Sequence, residues 1–269
     1  MLGGAVFAAV IAAIALGAYY EVSRITPQIG LGYQLAWPGY AVIFAGASLA
    51  LIWDESWTLP LFVALAMLLP ILMIFRMPTN AESFSSWVAS TATGVYLGIP
   101  TFAAISLRQT IGDLEVGWAS DLGAFFSISD ESRALGMGWA MTAVAATWLS
   151  DTFALFVGRA LGRTPLIPHI SPRKTLEGAA GGVLGAVVAT VGLTLLLGLP
   201  DVSVPLAIVF GVLLAVVGIG GDLTESFIKR SGGVKDSGTL IPGHGGVFDR
   251  VDALWPTLLV TWVIVQYLY

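Results

Sequence analysis

This sequence predicts an all-α, polytopic membrane protein with about eight transmembrane helices, on three observations. Hydrophobic residues make up 57% of the 269 residues and charged residues 11%, at a mean hydropathy of +0.87. That is too little polar surface to cover a water-soluble globule. The apolar residues fall into runs long enough, or nearly so, to cross a hydrocarbon core of about 30 Å at about 1.5 Å per residue. The lysines and arginines, finally, lie almost entirely on one side of those runs.

In chain order the runs span about 2–20, 38–53, 57–75, 88–107, 137–158, 179–199, 205–226 and 253–269. The first has no basic residue ahead of it and passes straight into "AYYEVSRI", a poor match to a cleavable signal peptide, so it reads as a retained helix. The second is short and reads as an untilted or partly re-entrant helix. The long loop over 108–136 mixes glycine, serine and acids without a metal-ligand spacing; it reads as a connector, with room for an interface-lying turn. The sixth run carries Gly178 and Gly182, and Gly181 and Gly185, in pairs four apart. This spacing lets membrane helices pack closely, within one chain or across a homodimer. Pro256 is expected to kink the last helix just after an acidic pair. The N-terminal helices with the external loop (1–136) and the C-terminal region (137–269) form one continuous membrane domain, and the chemistry is expected in the second.

Loops 21–37, 76–87, 159–178 and 227–252 hold Arg24, Arg76, Arg159, Arg163, Arg173, Lys174, Lys229, Arg230, Lys235 and Arg250, against Arg108 and Arg133 on the other side. Cytoplasmic loops retain lysine and arginine, so these loops are expected to face the cytoplasm from a multi-pass protein of the inner (plasma) membrane. A net charge of −5 argues against a nucleic-acid surface, and the absence of cysteine excludes disulfides and thiolate metal sites. Oxygen and imidazole ligands remain.

Acids beside apolar helices are costly and are functional or internally paired. Asp151, in "ATWLSDTFALFVGR", reads equally as a packing carboxylate or as a substrate or metal contact. The seventh run ends "GIGGDLTESFIKR", where Asp222, Glu225, Ser226 and Lys229 share a helical face. A salt bridge explains Glu225 with Lys229 but leaves Asp222, which follows a glycine-rich turn of helix, unexplained. The stretch that follows, "SGGVKDSGTLIPGHGGVFDRVD", is rich in glycines that let consecutive amides point at one anion. Lys229, Arg230, Lys235 and Arg250 add positive charge, and Asp249 and Asp252 share a face. Anion-binding amides, cations and hard oxygen ligands together suit a polyphosphate with a divalent cation. In the loop 159–178, Ser171, Arg173, Lys174 and Thr175 form a donor cluster before a new helix, a phosphate site or a positive-inside anchor.

These residues resemble the phosphatidate cytidylyltransferases, or CDP-diacylglycerol synthases. The family pattern runs from a serine through Lys-Arg, Lys-Asp and Pro-x-His-Gly-Gly to Asp-Arg-aliphatic-Asp, and "SFIKRSGGVKDSGTLIPGHGGVFDRVD" follows it from Ser226 to Asp252. "SPRKTLEG" at 171–178 and "GD" at 221–222 resemble upstream motifs, and the likeness is sharp over about 150–269. Family members often have another helix before the first one here, so the resemblance implies a member with one helix fewer if Met1 is the start.

The resemblance implies transfer of CMP from CTP to phosphatidate, giving CDP-diacylglycerol and pyrophosphate, with Mg²⁺ and room for a second cation. It implies Asp222 and Asp249 as metal ligands, with Asp236 and Asp252 holding metal, water or cations. Lys229, Arg230, Lys235, Arg250 and the Ser171–Lys174 cluster, with Thr175, Ser226, Gly245 and Gly246, would bind the CTP triphosphate and the phosphatidate headgroup. His244 is either a phosphate donor or a general acid. A CTP-dependent transferase or kinase acting on another lipid, such as an isoprenoid ether lipid phosphate, fits the same nucleotide motif. An ion-coupled transporter predicts polar residues along several helices, whereas here they gather at one face of the membrane.

Overall fold

The structure is a computed structural model and describes residues 3–26, 37–52, 57–125, 133–240 and 245–269. Helices account for nearly all of it: α1 (Gly3–Ile25), α2 (Trp37–Leu51), α3 (Thr58–Ile74), α4 (Ala81–Gln109), α5 (Gly117–Phe125), α6 (Ala134–Leu161), α7 (Leu176–Leu197), α8 (Val204–Ser231), α9 (Phe248–Val251) and α10 (Leu254–Leu268). The described strands, β1 (Pro165–Ile167) and β2 (Ser171–Thr175), form an antiparallel hairpin with Pro165 opposite Thr175 and Ile167 opposite Ser171.

Among the described residues, six helical spans are long and apolar enough to cross a membrane, α9 and α10 together making one; α2 and α3 are apolar but shorter. The protein is a multi-pass, all-α membrane protein, as its hydropathy predicts. Helix α2 has 15 residues and reaches only about 23 Å at the usual helical rise, short of the bilayer core.

Three elements differ from expectation. The hairpin replaces an irregular loop. Helix α8 runs on to Ser231, past the end of the apolar run at 226, which gives Lys229 the helical face read for it and brings Arg230 out of the expected loop. The last span is interrupted at Asp252 and Ala253, ahead of Pro256, which sits in the first turn of α10. Having no N–H, Pro256 cannot bond the Asp252 carbonyl, so a continuous helix would lose that link in any case.

The chain divides into two compact units: Met1–Gly4 with Leu107–Ser226 and Asp252–Tyr269, and Ala5–Ser106 with Phe227–Val251. In the first, α7 packs along α6 through the glycines expected to mediate close contact. A β-carbon on Gly181 would lie 2.6 Å from Val157 Cβ, and one on Gly182 would lie 2.9 Å from Ser150 Oγ. The glycine pairs are therefore used within the chain. Ala146, Ala186, Ala189, Leu214 and Ala215 form the small-residue core there, and Trp139 packs edge-on to Phe210 at 5.8 Å. Helix α7 starts where the Thr175 hydroxyl accepts the Gly178 N–H at 3.1 Å and ends at Gly198 with a left-handed φ of 63°.

In the second unit Phe62 stacks on Phe102 at 4.8 Å, and Tyr19 and Tyr40 meet edge to face at 4.6 Å. Gly94 of α4 crosses Gly39 of α2 so closely that a β-carbon on Gly94 would lie 2.7 Å from the Gly39 Cα. Large exposed side chains such as Leu184, Val188 and Leu195 of α7 in the first unit are what a lipid-facing surface requires.

Candidate functional site

In the first unit, α8 supplies Asp222 and Glu225, three residues apart on one face, and the break before α10 supplies Asp252. Gly221 brings them together: a β-carbon there would lie 2.7 Å from the Pro256 ring and 3.1 Å from the Asp252 carbonyl carbon. Only glycine permits that approach. One carboxylate oxygen from each of Asp222, Glu225 and Asp252 lies within 4.8 Å of the others. Glu225 is buried, and Asp222 and Asp252 are half-buried. Lys174 forms an ion pair with Asp222, and Asp252 accepts the Ala253 N–H at 2.8 Å. Three hard carboxylates converging in this way have the chemistry to hold a divalent cation that prefers oxygen.

Lys174 reaches the cluster from β2. The base of its hairpin is held by Glu177, whose carboxylate accepts the N–H groups of Arg163 and Thr164 at 3.1 Å and the Thr164 hydroxyl at 2.9 Å. The donor cluster read from "SPRKT" is thus a strand. Its Thr175 hydroxyl caps α7. Arg173, Lys174 and Thr175 line a cavity of about 380 Å³ with Asp151 and Asp222.

The second unit holds a different pair of acids. Asp249 accepts from Lys229 Nζ at 2.8 Å, from Ser237 N at 3.0 Å and from Gly246 N at 2.8 Å. Its ion pair with Lys229 is well covered, at 10% and 12% side-chain exposure. Glu21, near the end of α1, is 2% exposed. It accepts from Ser237 Oγ at 2.8 Å, Val247 N at 3.0 Å and Phe248 N at 2.9 Å. The consecutive amides predicted to cradle an anion do so, but the anions are these two carboxylates of the protein. Gly245, at φ 83°, makes the turn that aims them. Gly246 leaves room for Glu21, since its β-carbon would lie 2.8 Å from the Glu21 carboxyl carbon.

The predicted site residues therefore fall into two sets. Asp222, Asp252, Ser171, Arg173, Lys174, Thr175 and the buried Ser226 belong to the first unit, while Lys229, Arg230, Lys235, Asp236, Gly245, Gly246, Asp249 and Arg250 belong to the second. Arg230 donates to the Val234 carbonyl at 3.2 Å, and Lys235 and Asp236 are exposed. His244 lies outside the described residues. Sequence reasoning puts Glu225 on the face of Asp222 but assigns it to a salt bridge with Lys229, and it gives Glu21, in "YYE", no role. A lone acid in the apolar run of α1 is the available signal for Glu21, because burying a carboxylate is costly without partners.

Comparison with known proteins finds likenesses along the whole chain. The model of the cytidylyltransferase family matches residues 1–268. Phosphatidate cytidylyltransferase 5, chloroplastic, of Arabidopsis thaliana is 57% identical over 104 residues, 39% of this chain and 26% of that protein. The phosphatidate cytidylyltransferase of Thermotoga maritima is 40% identical over 140 residues, 51% of this chain and 52% of that one. That of Brucella abortus is 34% identical over 256 residues, 94% of this chain and 82% of the relative. In the first two matches the chain spans about a quarter and about half of the relatives' lengths.

Proposed function

The chain belongs to the cytidylyltransferase family, and on that premise we propose that it transfers the CMP group of CTP to phosphatidate, releasing pyrophosphate and forming CDP-diacylglycerol. The observation that carries this reading is the carboxylate cluster of Asp222, Glu225 and Asp252, beside a cavity bearing Arg173 and Lys174, in a multi-pass membrane protein. The relatives' names supply the substrates.

In the proposed reaction an oxygen of the lipid phosphate attacks the α-phosphorus of CTP. That P–O bond forms as the bond from the α-phosphorus to the β-phosphate oxygen breaks. Two polyanions must meet, so charge compensation and positioning are what the protein supplies. Mg²⁺ held by Asp222, Glu225 and Asp252 would compensate charge on the phosphate oxygens. Arg173 and Lys174 bind phosphate oxygens, and Lys174 can leave Asp222 to do so. Asp249 holds Lys229 and the turn at Gly246 in register. A nucleotide-binding role for the exposed Lys235 and Arg250 is supported by the motif alone. The loops bearing these residues face the cytoplasm of the inner membrane in this proposal, supported by the asymmetry of lysine and arginine. CTP then arrives from the cytoplasm while phosphatidate stays in its leaflet.

The test is purified protein with CTP, phosphatidate and Mg²⁺. Pyrophosphate release above a lipid-free control is expected, and its absence rejects the proposal.

A further inference from the structure

Asp151 is the group for which the reaction above has no use. It lies in mid-helix on α6, is exposed to the cavity, and makes no hydrogen bond to another described residue. A carboxylate placed within a membrane helix for packing alone would bond to a neighbouring hydroxyl, since an unpaired one is costly. Its neighbour Ser150 is buried against α7, where Gly182 faces the Ser150 hydroxyl. Asp151 instead faces the space that Arg173, Lys174 and Asp222 also border.

Apart from Ser150 and Thr175, the rest of that space is apolar, with Ala154, Leu155, Leu166 and Ile219 in its walls. Cations for a phosphate, hydrocarbon for a glyceryl or acyl chain, and a place among helices apolar enough to cross a membrane together describe a lipid headgroup. A carboxylate among the cations discriminates between two kinds. A phosphomonoester loses its second proton only at about pH 6, so it can present a P–OH that donates to Asp151 while its other oxygens meet Arg173 and Lys174. A phosphodiester has no such proton. It would set an oxygen lone pair against the carboxylate and leave both unpaired, an arrangement that recognition sites reject strongly. Membranes are composed largely of phosphodiester lipids, so a site that draws its lipid from a bilayer needs such a filter.

We propose that the cavity between α6, α7, α8 and the hairpin seats the headgroup of a lipid phosphomonoester, and that Asp151 excludes phosphodiester lipids from it. This rests on the reading of the chain as a lipid cytidylyltransferase.

The experiment measures binding of short-chain phosphatidate, short-chain phosphatidylglycerol and CTP separately, to full-length protein in detergent. Arg173→Ala is expected to weaken phosphatidate binding by roughly tenfold or more, the loss of a charge-assisted contact, with CTP binding little changed. Asp151→Asn should keep phosphatidate binding but cut the preference over phosphatidylglycerol by roughly tenfold. Leu155→Trp, at an exposed position, should fill the cavity and abolish phosphatidate binding; an unchanged elution volume shows that it folds. An unchanged lipid preference in Asp151→Asn overturns the filter. Loss of CTP rather than phosphatidate binding in Leu155→Trp overturns the headgroup assignment. Wild-type protein that binds phosphatidate but never releases pyrophosphate rejects the reaction while leaving the cavity assignment standing.

Discussion

The protein builds two acidic centres, and they are made differently. In the second unit, Glu21 and Asp249 are surrounded by donors: the Gly246, Val247 and Phe248 amides, the Ser237 N–H and hydroxyl, and the Lys229 ammonium. In the first, Asp222, Glu225 and Asp252 converge on one another, with Lys174 paired to Asp222. Carboxylates fixed by amides and a covered ammonium are already compensated and hold a fold together. Carboxylates gathered against their mutual repulsion gain from an added cation. The same residue type is scaffold in one unit and a candidate ligand in the other, and the difference lies in what faces it.

The largest expected effect follows from the ligand centre. Asp222→Asn and Asp252→Asn should each lower the rate of pyrophosphate release by about a hundredfold to a thousandfold, the scale of losing a preorganised charge at a reacting phosphate. Thermal stability without metal should stay level or rise in Asp252→Asn, because one of three like charges is gone, whereas in Asp222→Asn the loss of the Lys174 ion pair offsets that relief. Near-normal turnover in both variants would remove the ligand role and leave the comparison without its active side.

The scaffold centre should respond in the opposite sense. Asp249→Asn removes a charged partner of the covered Lys229 and weakens the acceptor for the Ser237 and Gly246 amides, a loss of about 1.5–3 kcal/mol. Glu21→Ala leaves a hydroxyl and two amides without their acceptor, at about 1–3 kcal/mol for each buried group. Both should appear as lower melting temperatures in detergent, metal present or not. Glu21→Gln, which keeps one acceptor oxygen, should recover part of the loss. A Glu21→Ala protein as stable as wild type and lacking only activity would mean that Glu21 is not scaffold.

Metal binding separates the centres directly. Mg²⁺ at a hundred times its dissociation constant should stabilise the wild-type protein by about 2.7 kcal/mol. Asp222→Asn should lose most of that gain. Glu21→Gln should keep it, since its deficit is structural. Equal gains in all three proteins would mean that the cation binds elsewhere.

These contrasts also explain what is legible in the sequence. The spans and the motif are readable because long apolar runs and closely spaced polar residues are local signals; the extension of α8 to Ser231 and the break at Asp252 only move boundaries. The pairing of Asp222 with Glu225 is half visible, since helical spacing puts them on one face, but the addition of Asp252 depends on Gly221 admitting the chain break. The partnership of Glu21 with Ser237, Val247 and Phe248 joins positions 216 to 227 apart, and no local pattern specifies it. The glycines of the motif read locally as a cradle for a ligand's phosphate, whereas an acid that occupies part of the cradle comes from α1. The hairpin at 165–175 leaves no signal because three- and five-residue strands are too short to declare a period.

The smallest effect tests whether charge, rather than depth in the membrane, makes the scaffold contacts strong. Thr147 and Thr257, both buried, meet across α6 and α10 at 3.0 Å within the first unit. Each also has a local backbone acceptor, Ala143 O at 2.9 Å and Leu254 O at 2.8 Å. Thr257→Val keeps the volume and removes one hydroxyl whose partner still has somewhere to donate, so it should cost only about 0.6 kcal/mol, the average for hydrogen bonds between membrane helices. Thermal unfolding of Thr257→Val beside Glu21→Gln measures the ratio. Similar losses in the two would show that burial sets the strength of polar contacts in this protein, and that the donors around Glu21 and Asp249 are no stronger for meeting a charge.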